Sequence, residues 1–180
     1  MSSATGLHRQ RLLPPALEAH LIGALGRCCG LLLLAVLAGL WASVVSWSLN
    51  DPSLTHVTGG PVRNVLGPPG AVVSDLLIQT LGVAAAIALL PLMIWAFELV
   101  TSQQVAGART KVTFYPLALL ALAGALAALP TAATWPIEHG YGGILGDVIF
   151  NFASSVFAIL NANMAGLAAS VLLLGVGLSS

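Results

Sequence analysis

Residues 50–82 read N-D-P-S-L-T-H-V-T-G-G-P-V-R-N-V-L-G-P-P-G-A-V-V-S-D-L-L-I-Q-T-L-G, the longest interruption between apolar segments in the 180-residue chain. Asp51-Pro52 starts a turn, because proline fixes its own φ and pushes the residue before it out of the helical region. Gly59-Gly60-Pro61 and Gly67-Pro68-Pro69-Gly70 punctuate the stretch twice more. Ser74 and Asp75 then fall in the first turns of the following helix, where a carboxylate suits the positive end of the helix dipole. The stretch therefore reads as a structured loop that delivers the chain into a helix, and the segments on either side of it read as membrane.

Composition gives the reason. The chain is 58% hydrophobic and only 7% charged, against about a quarter charged residues in a soluble domain. A water-facing surface cannot be built from that. Net charge is zero, with no basic run long enough to track nucleic acid. Cys28 and Cys29 are adjacent, which makes neither a disulfide framework nor a metal-ligand spacing.

Outward from the loop, the pattern predicts an all-α membrane protein with four transmembrane helices. Residues 1–27 form an amino-terminal segment in which Pro14-Pro15 can open a short interfacial helix striped by Leu17, Leu21 and Leu25. The first span covers 28–47, too long for the core of a signal peptide. A loop at 48–70 leads to the second span at 71–100, where Gly82 allows close backbone approach and Pro91 should kink the helix. A polar loop at 101–113, a third span at 114–133, a loop at 134–147 and a fourth span at 148–178 follow. Arg9, Arg11, Arg27, Arg109 and Lys111 lie in the segments before span one and between spans two and three, and only Arg63 lies in the other loops. This asymmetry puts both termini in the cytoplasm and the two Gly/Pro-rich loops outside.

Span four carries a packing pattern: Ser154, Ala158, Ala162, Gly166 and Ser170 are small residues at every fourth position. Such a stripe lets a second helix approach closely in lipid, within one chain or between protomers. Asn161 and Asn163 fall mid-span, where a polar side chain finds a partner across a helix interface or lines a path. No ionisable residue lies deep in any span, which argues against a coupled transporter and leaves a passive channel or small-solute permease as the competing reading. His56, Glu138 and His139 face outward under this topology. Their spacing is not that of a metal site, and a membrane enzyme using His56 or His139 is the weakest alternative. There is no Gly-x-Ser-x-Gly elbow and no phosphate-binding loop. Neither cofactor nor metal is expected.

Asp51-Pro52-Ser53, Asn64, Gly67, Gly70-Ala71, Asp75, Gln79 and Gly82 resemble the amino-terminal four-span membrane domain of FtsK-type (FtsK/SpoIIIE) bacterial DNA translocases. The stretch Tyr141-Gly142-Gly143-Ile144-Leu145-Gly146-Asp147 is similar to the glycine-rich lead-in to that family's fourth span. The resemblance implies an inner-membrane anchor at the division septum, joined to a hexameric cytoplasmic ATPase that pumps DNA in chromosome segregation. It also implies contacts with the lipid bilayer and other division proteins, a homo-oligomer, and no direct nucleic-acid contact by this segment. On this reading the phosphate loop and the DNA-reading domain lie outside these 180 residues.

Overall fold

A computed structural model describes residues 14–54, 59–160 and 165–179. The described residues form six α-helices and no strand: α1 (Pro15–Val45), α2 (Gly67–Leu81), α3 (Ala84–Ser102), α4 (Ala108–Ala127), α5 (Gly143–Leu160) and α6 (Ala165–Ser179). Three stretches, Ala16–Val45, Ala84–Ser102 and Ala108–Ala127, are long and apolar enough to cross a membrane, and Gly143–Ile159 and Gly166–Leu178 are shorter apolar helices. Large side chains such as Leu32, Ile94 and Phe152 stand on the outside of the bundle, where lipid rather than water accommodates them.

Helix α1 begins where Pro15 is pre-set for the first turn and Glu18 faces the positive end of the dipole. It runs without interruption to Val45, a length of about 46 Å. The expected interfacial helix and first span are thus one rod. The amino-terminal half stays helical because its glycines are covered by the end of α3. A Cβ on Gly23 would lie 2.6 Å from Gln103 Oε1, and one on Gly30 would lie 2.8 Å from Val100 Cγ2 and 3.2 Å from the Ala96 carbonyl. Gly26 faces the Gln103 backbone between them. Farther along, Leu37 and Val44 of α1 share a buried cluster with Ile78, Ala85, Leu89 and Ala96.

The expected second span, 71–100, is two helices. The break falls at Gly82 (φ +61°) and not at Pro91. Gly82 takes a backbone conformation that a side chain would strain, and the Val83 amide, which starts α3, bonds the Tyr141 carbonyl at 2.8 Å. Pro91 lies inside α3 and the helix continues through it. Proline leaves the Ile87 carbonyl without its usual donor, and one residue on, the Ala88 carbonyl accepts the Tyr115 hydroxyl at 2.6 Å.

The expected fourth span, 148–178, is likewise divided. Gly124 of α4 lies against both Ile149 of α5 and Leu173 of α6, positions that one straight helix would hold about 36 Å apart. Both helices therefore pack on α4, around Ala121, Ala125, Ala153, Ala169 and Leu173. Helix α5 stops directly before Asn161, Ala162 and Asn163, which lie outside the described residues.

Glycine contacts of opposite kinds make the packing testable. Gly30→Ala, forced against backbone, is expected to cost about 1–3 kcal/mol. Gly175→Ala, which meets nothing within 4 Å, is expected to be neutral or stabilising by up to about 1 kcal/mol. Thermal unfolding of each variant in detergent, followed by helical circular dichroism, measures both.

Candidate functional site

The conspicuous site is a knot of buried polar side chains where the 46–66 connection returns to the bundle. Ser43, Asp51, Asn64, Ser74 and Asp75 are the buried polar residues among those described. At its base Asp51 accepts the Arg63 amide on Oδ1 at 2.8 Å and the Asn64 amide on Oδ2 at 2.9 Å. One carboxylate thus satisfies two successive backbone donors and closes the loop. Asn64 is the centre. Its Nδ2 donates to the Ser43 carbonyl at 2.8 Å and to Ser74 Oγ at 3.1 Å, while Oδ1 accepts the Leu66 amide at 3.1 Å. The Asn64 carbonyl accepts the Gly67 amide at 2.9 Å, which starts α2.

Gly70 completes the crossing. Ser43 Oγ donates to its carbonyl at 2.8 Å, and a Cβ there would overlap Asn64 Oδ1 and stand 2.5 Å from Leu66 Cβ. The Ser46 hydroxyl accepts the Val65 amide at 3.2 Å and donates to the Ala42 carbonyl at 2.7 Å. The end of α1, the loop and the start of α2 are thereby fastened by side chains that each answer a backbone group.

Asp75 sits one turn deeper than its sequence position suggests. It is the ninth residue of α2, buried, and accepts Trp47 Nε1 at 3.2 Å and Gln79 Nε2 at 3.1 Å. It therefore bridges α1's exit to α2 and does not compensate the α2 dipole. Trp47, the last residue of the expected first span, is a hydrogen-bond donor to that carboxylate. Above it, a cavity of about 370 Å³ opens between Trp47, Gln79 and the 136–139 segment. His139 Nδ1 lies 3.0 Å from Asp147 Oδ2, and the Trp135 indole donates to the His139 carbonyl at 2.9 Å.

A second close contact joins the knot's helix to the other half of the bundle. Gly82 and Gly143 (φ +65°) pass with their backbones touching, and a Cβ on Gly82 would overlap the Tyr141 carbonyl. Gly142 and Gly146 both lie against the Ala123 carbonyl of α4. Trp135 packs edge-on against Tyr141 at 4.7 Å, and the Tyr141 hydroxyl accepts the Ala132 amide at 3.0 Å.

The structure thus gathers Asp51, Asn64, Gly67, Gly70 and Asp75 into the knot, and Gly82, Gly142, Gly143 and Gly146 into the joint. Pro52 follows Asp51 at the loop's first turn. The small-residue stripe is not one seam. Ser154 and Ala158 are on α5, Gly166 and Ser170 on α6, and Ala162, Asn161 and Asn163 lie outside the described residues. Ser170 bonds the Leu167 carbonyl, Gly166 meets nothing within 4 Å, and Ser154 Oγ is buried without a hydrogen-bond partner. His56 also lies outside the described residues. Among the described residues no three His, Cys, Asp or Glu side chains gather as metal ligands. Ser43, Ser46 and the glycines of α1 carry contacts that the sequence reading passed over. Gly26 and Gly30, four apart, were the available signal.

Long apolar helices, glycine-mediated backbone contacts and a polar knot spent wholly on internal bonds define a polytopic α-helical membrane domain. The chain belongs to the FtsK/SpoIIIE family: residues 24–179 match the family model described as the 4TM region of DNA translocase FtsK/SpoIIIE. It is 33% identical over 136 residues to the DNA translocase FtsK of Agrobacterium fabrum, covering 76% of this chain and 15% of that protein. Identity to the DNA translocase FtsK of Mesorhizobium japonicum is 38% over 149 residues, covering 82% of this chain and 16% of the relative. With the Caulobacter vibrioides DNA translocase FtsK it is 35% over 139 residues, covering 75% and 17%. The chain therefore spans about a sixth of the length of these relatives. No solved structure matches it.

Asn64→Ala removes three side-chain hydrogen bonds from the knot and leaves the buried Ser43 carbonyl short of a donor. Its expected cost is roughly 2–3 kcal/mol. Val65→Ala, exposed and retaining its amide bond to Ser46, should stay within about 0.5 kcal/mol of the parent. Thermal denaturation of the two variants in the same detergent compares them.

Proposed function

We propose that this segment is the membrane-anchoring and septum-targeting domain of a cell-division DNA translocase that acts in chromosome segregation, with the ATPase motor outside these residues. The observation that carries the reading is the match of residues 24–179 to the family's 4TM region. The geometry supports it. Every buried carboxylate and amide of the knot is turned to a backbone or side-chain partner within the chain, which builds a rigid platform and offers no reacting group. The segment itself is non-enzymatic, holds no cofactor, and makes no direct contact with nucleic acid.

In this reading the chain crosses the bacterial inner membrane four times, through α1, α3, α4 and the 148–178 segment to which α5 and α6 belong. The distribution of Arg and Lys supports cytoplasmic termini and puts the knot and the 128–142 segment outside, where they present a firm surface to other division proteins. The domain assembles as a homo-oligomer, a hexamer by resemblance to the family. Asn151 supports an assembly contact: it is exposed on α5, in a polar row with Asp147 and Ser155 one turn to either side, and is flanked by the exposed Val148 and Phe152. An amide turned to hydrocarbon gains from a partner on a neighbouring helix by roughly 1 kcal/mol.

Two experiments test the reading. The segment, fused at its carboxyl end to a cytoplasm-active fluorescent protein, is expected to form a midcell band in dividing cells. Uniform membrane fluorescence would remove septum targeting, and a dark but intact fusion would put the carboxyl end outside. Asn151→Leu is expected to shift the detergent-solubilised protein toward smaller assemblies by sedimentation, several-fold in association constant, with helicity unchanged.

A further inference from the structure

Away from the knot, α3 and α4 touch at the end that carries the 103–107 connection and diverge beyond it. The touching end is built from charge and aromatic rings. Lys111 Nζ bonds Glu98 at 3.0 and 3.2 Å and stands 5.7 Å from the centre of the Trp95 ring, and Trp95 meets Tyr115 edge-on at 5.3 Å. Behind this rim the two helices and the end of α6 enclose a cavity of about 220 Å³, walled by Ile87, Pro91, Ala118, Leu119 and Leu122. The space exists because Ala88, Ala118 and Gly177 bring little bulk to it.

Its dimensions and polarity specify an occupant. From Lys111 to Leu122 the cavity follows α4 for about 16 Å, half of the roughly 30 Å hydrocarbon thickness. It thus runs from headgroup level to the midplane, the span of one leaflet. The wall is apolar and the rim has the Trp and Tyr composition of a membrane interface. The rim is also zwitterionic. Lys111 has three donors and spends two on Glu98, and the Glu98 carboxylate has lone pairs beyond the two that Lys111 uses. Both side chains are about one-third exposed, so each can take a further partner.

We propose that this cavity is a binding site for one phospholipid with a zwitterionic headgroup that carries a primary ammonium. One acyl chain lies along Ala118 and Leu122, the phosphate takes the free donor of Lys111, and the ammonium donates to Glu98. An anionic headgroup would answer Lys111 and be repelled by Glu98. A quaternary ammonium would lack the N–H that the carboxylate accepts. The paired rim therefore selects for both charges at once, which a lone lysine could not do.

The test is native mass spectrometry of the 180-residue chain released from detergent with equimolar dioleoyl phosphatidylethanolamine, phosphatidylglycerol and phosphatidylcholine. One phosphatidylethanolamine is expected to remain bound in preference to the other two. Glu98→Gln should weaken its retention about tenfold and abolish its advantage over phosphatidylcholine. Ala118→Trp, which fills the cavity, should exclude all three. Equal retention of the three lipids, preference for phosphatidylglycerol, retention of no lipid, or a second copy of the chain in place of lipid would each overturn the proposal. Should Ala118→Trp lose its helical circular dichroism, the Glu98→Gln comparison decides alone.

Discussion

The amide of Asn64 is the interaction on which the arrangement of the first three helices depends. Where the end of a helix is buried, its carbonyls cannot be left unanswered, since no water reaches them to donate. Asn64 supplies one to the Ser43 carbonyl at 2.8 Å, and its second proton reaches Ser74 on α2. That crossing is possible only because Gly70 has no side chain, so α2 can lie against the last turns of α1. Asp51 holds Asn64 in place by binding its amide and the one before it. The knot is a chain of dependencies: carboxylate to loop, loop to amide, amide to two helices.

Its consequence for packing reaches the far end of the molecule. With α2 pinned to α1, Gly82 is brought to Tyr141, and the positive φ there turns the chain into α3 alongside α1. The α1–α3 contact is then drawn tight by Gly23, which admits the Gln103 side chain, and by Gly26 and Gly30, which admit the Gln103 and Val100 backbone. On the other side α4 receives α5 through Gly142 and Gly146. The halves meet backbone to backbone at one end and through Glu98 and Lys111 at the other. Glycine at these contacts is a steric requirement, and the exposed Gly166 and Gly175 show that the rest of the chain's glycines are not of one kind.

Much of this was legible in the residues. Composition alone excluded a soluble fold, and the spacing of Asp51, Asn64, Gly70, Asp75 and Gly82 marked the positions that the knot and joint use. Their partners were not legible, because Ser43, Ser46 and Trp47 look like ordinary span-end residues until the fold brings α2 back to them. Position within a helix also misled. Asp75 reads as a dipole partner because it follows a loop, yet α2 already starts at Gly67. Pro91 reads as the break because proline removes a donor, but the chain turns instead at Gly82, where a backbone partner from the 141 segment takes over. The recurrence from Ser154 to Ser170 looked like one seam because a period of four is visible only if the helix is assumed continuous.

The knot also has a place in the order of synthesis. The hydrogen bonds described for it join residues between 42 and 79, so these can form as soon as α2 has been made. The loop-closure cost of contacts over about 30 residues is small beside that of contacts spanning the whole domain. The pairing of Gly82 with Tyr141, by contrast, must wait for α3, α4 and the following turn. A nascent chain would thus set the angle between its first two helices early and leave the α2–α3 corner open, a vacant backbone notch, until the second half arrives to close it.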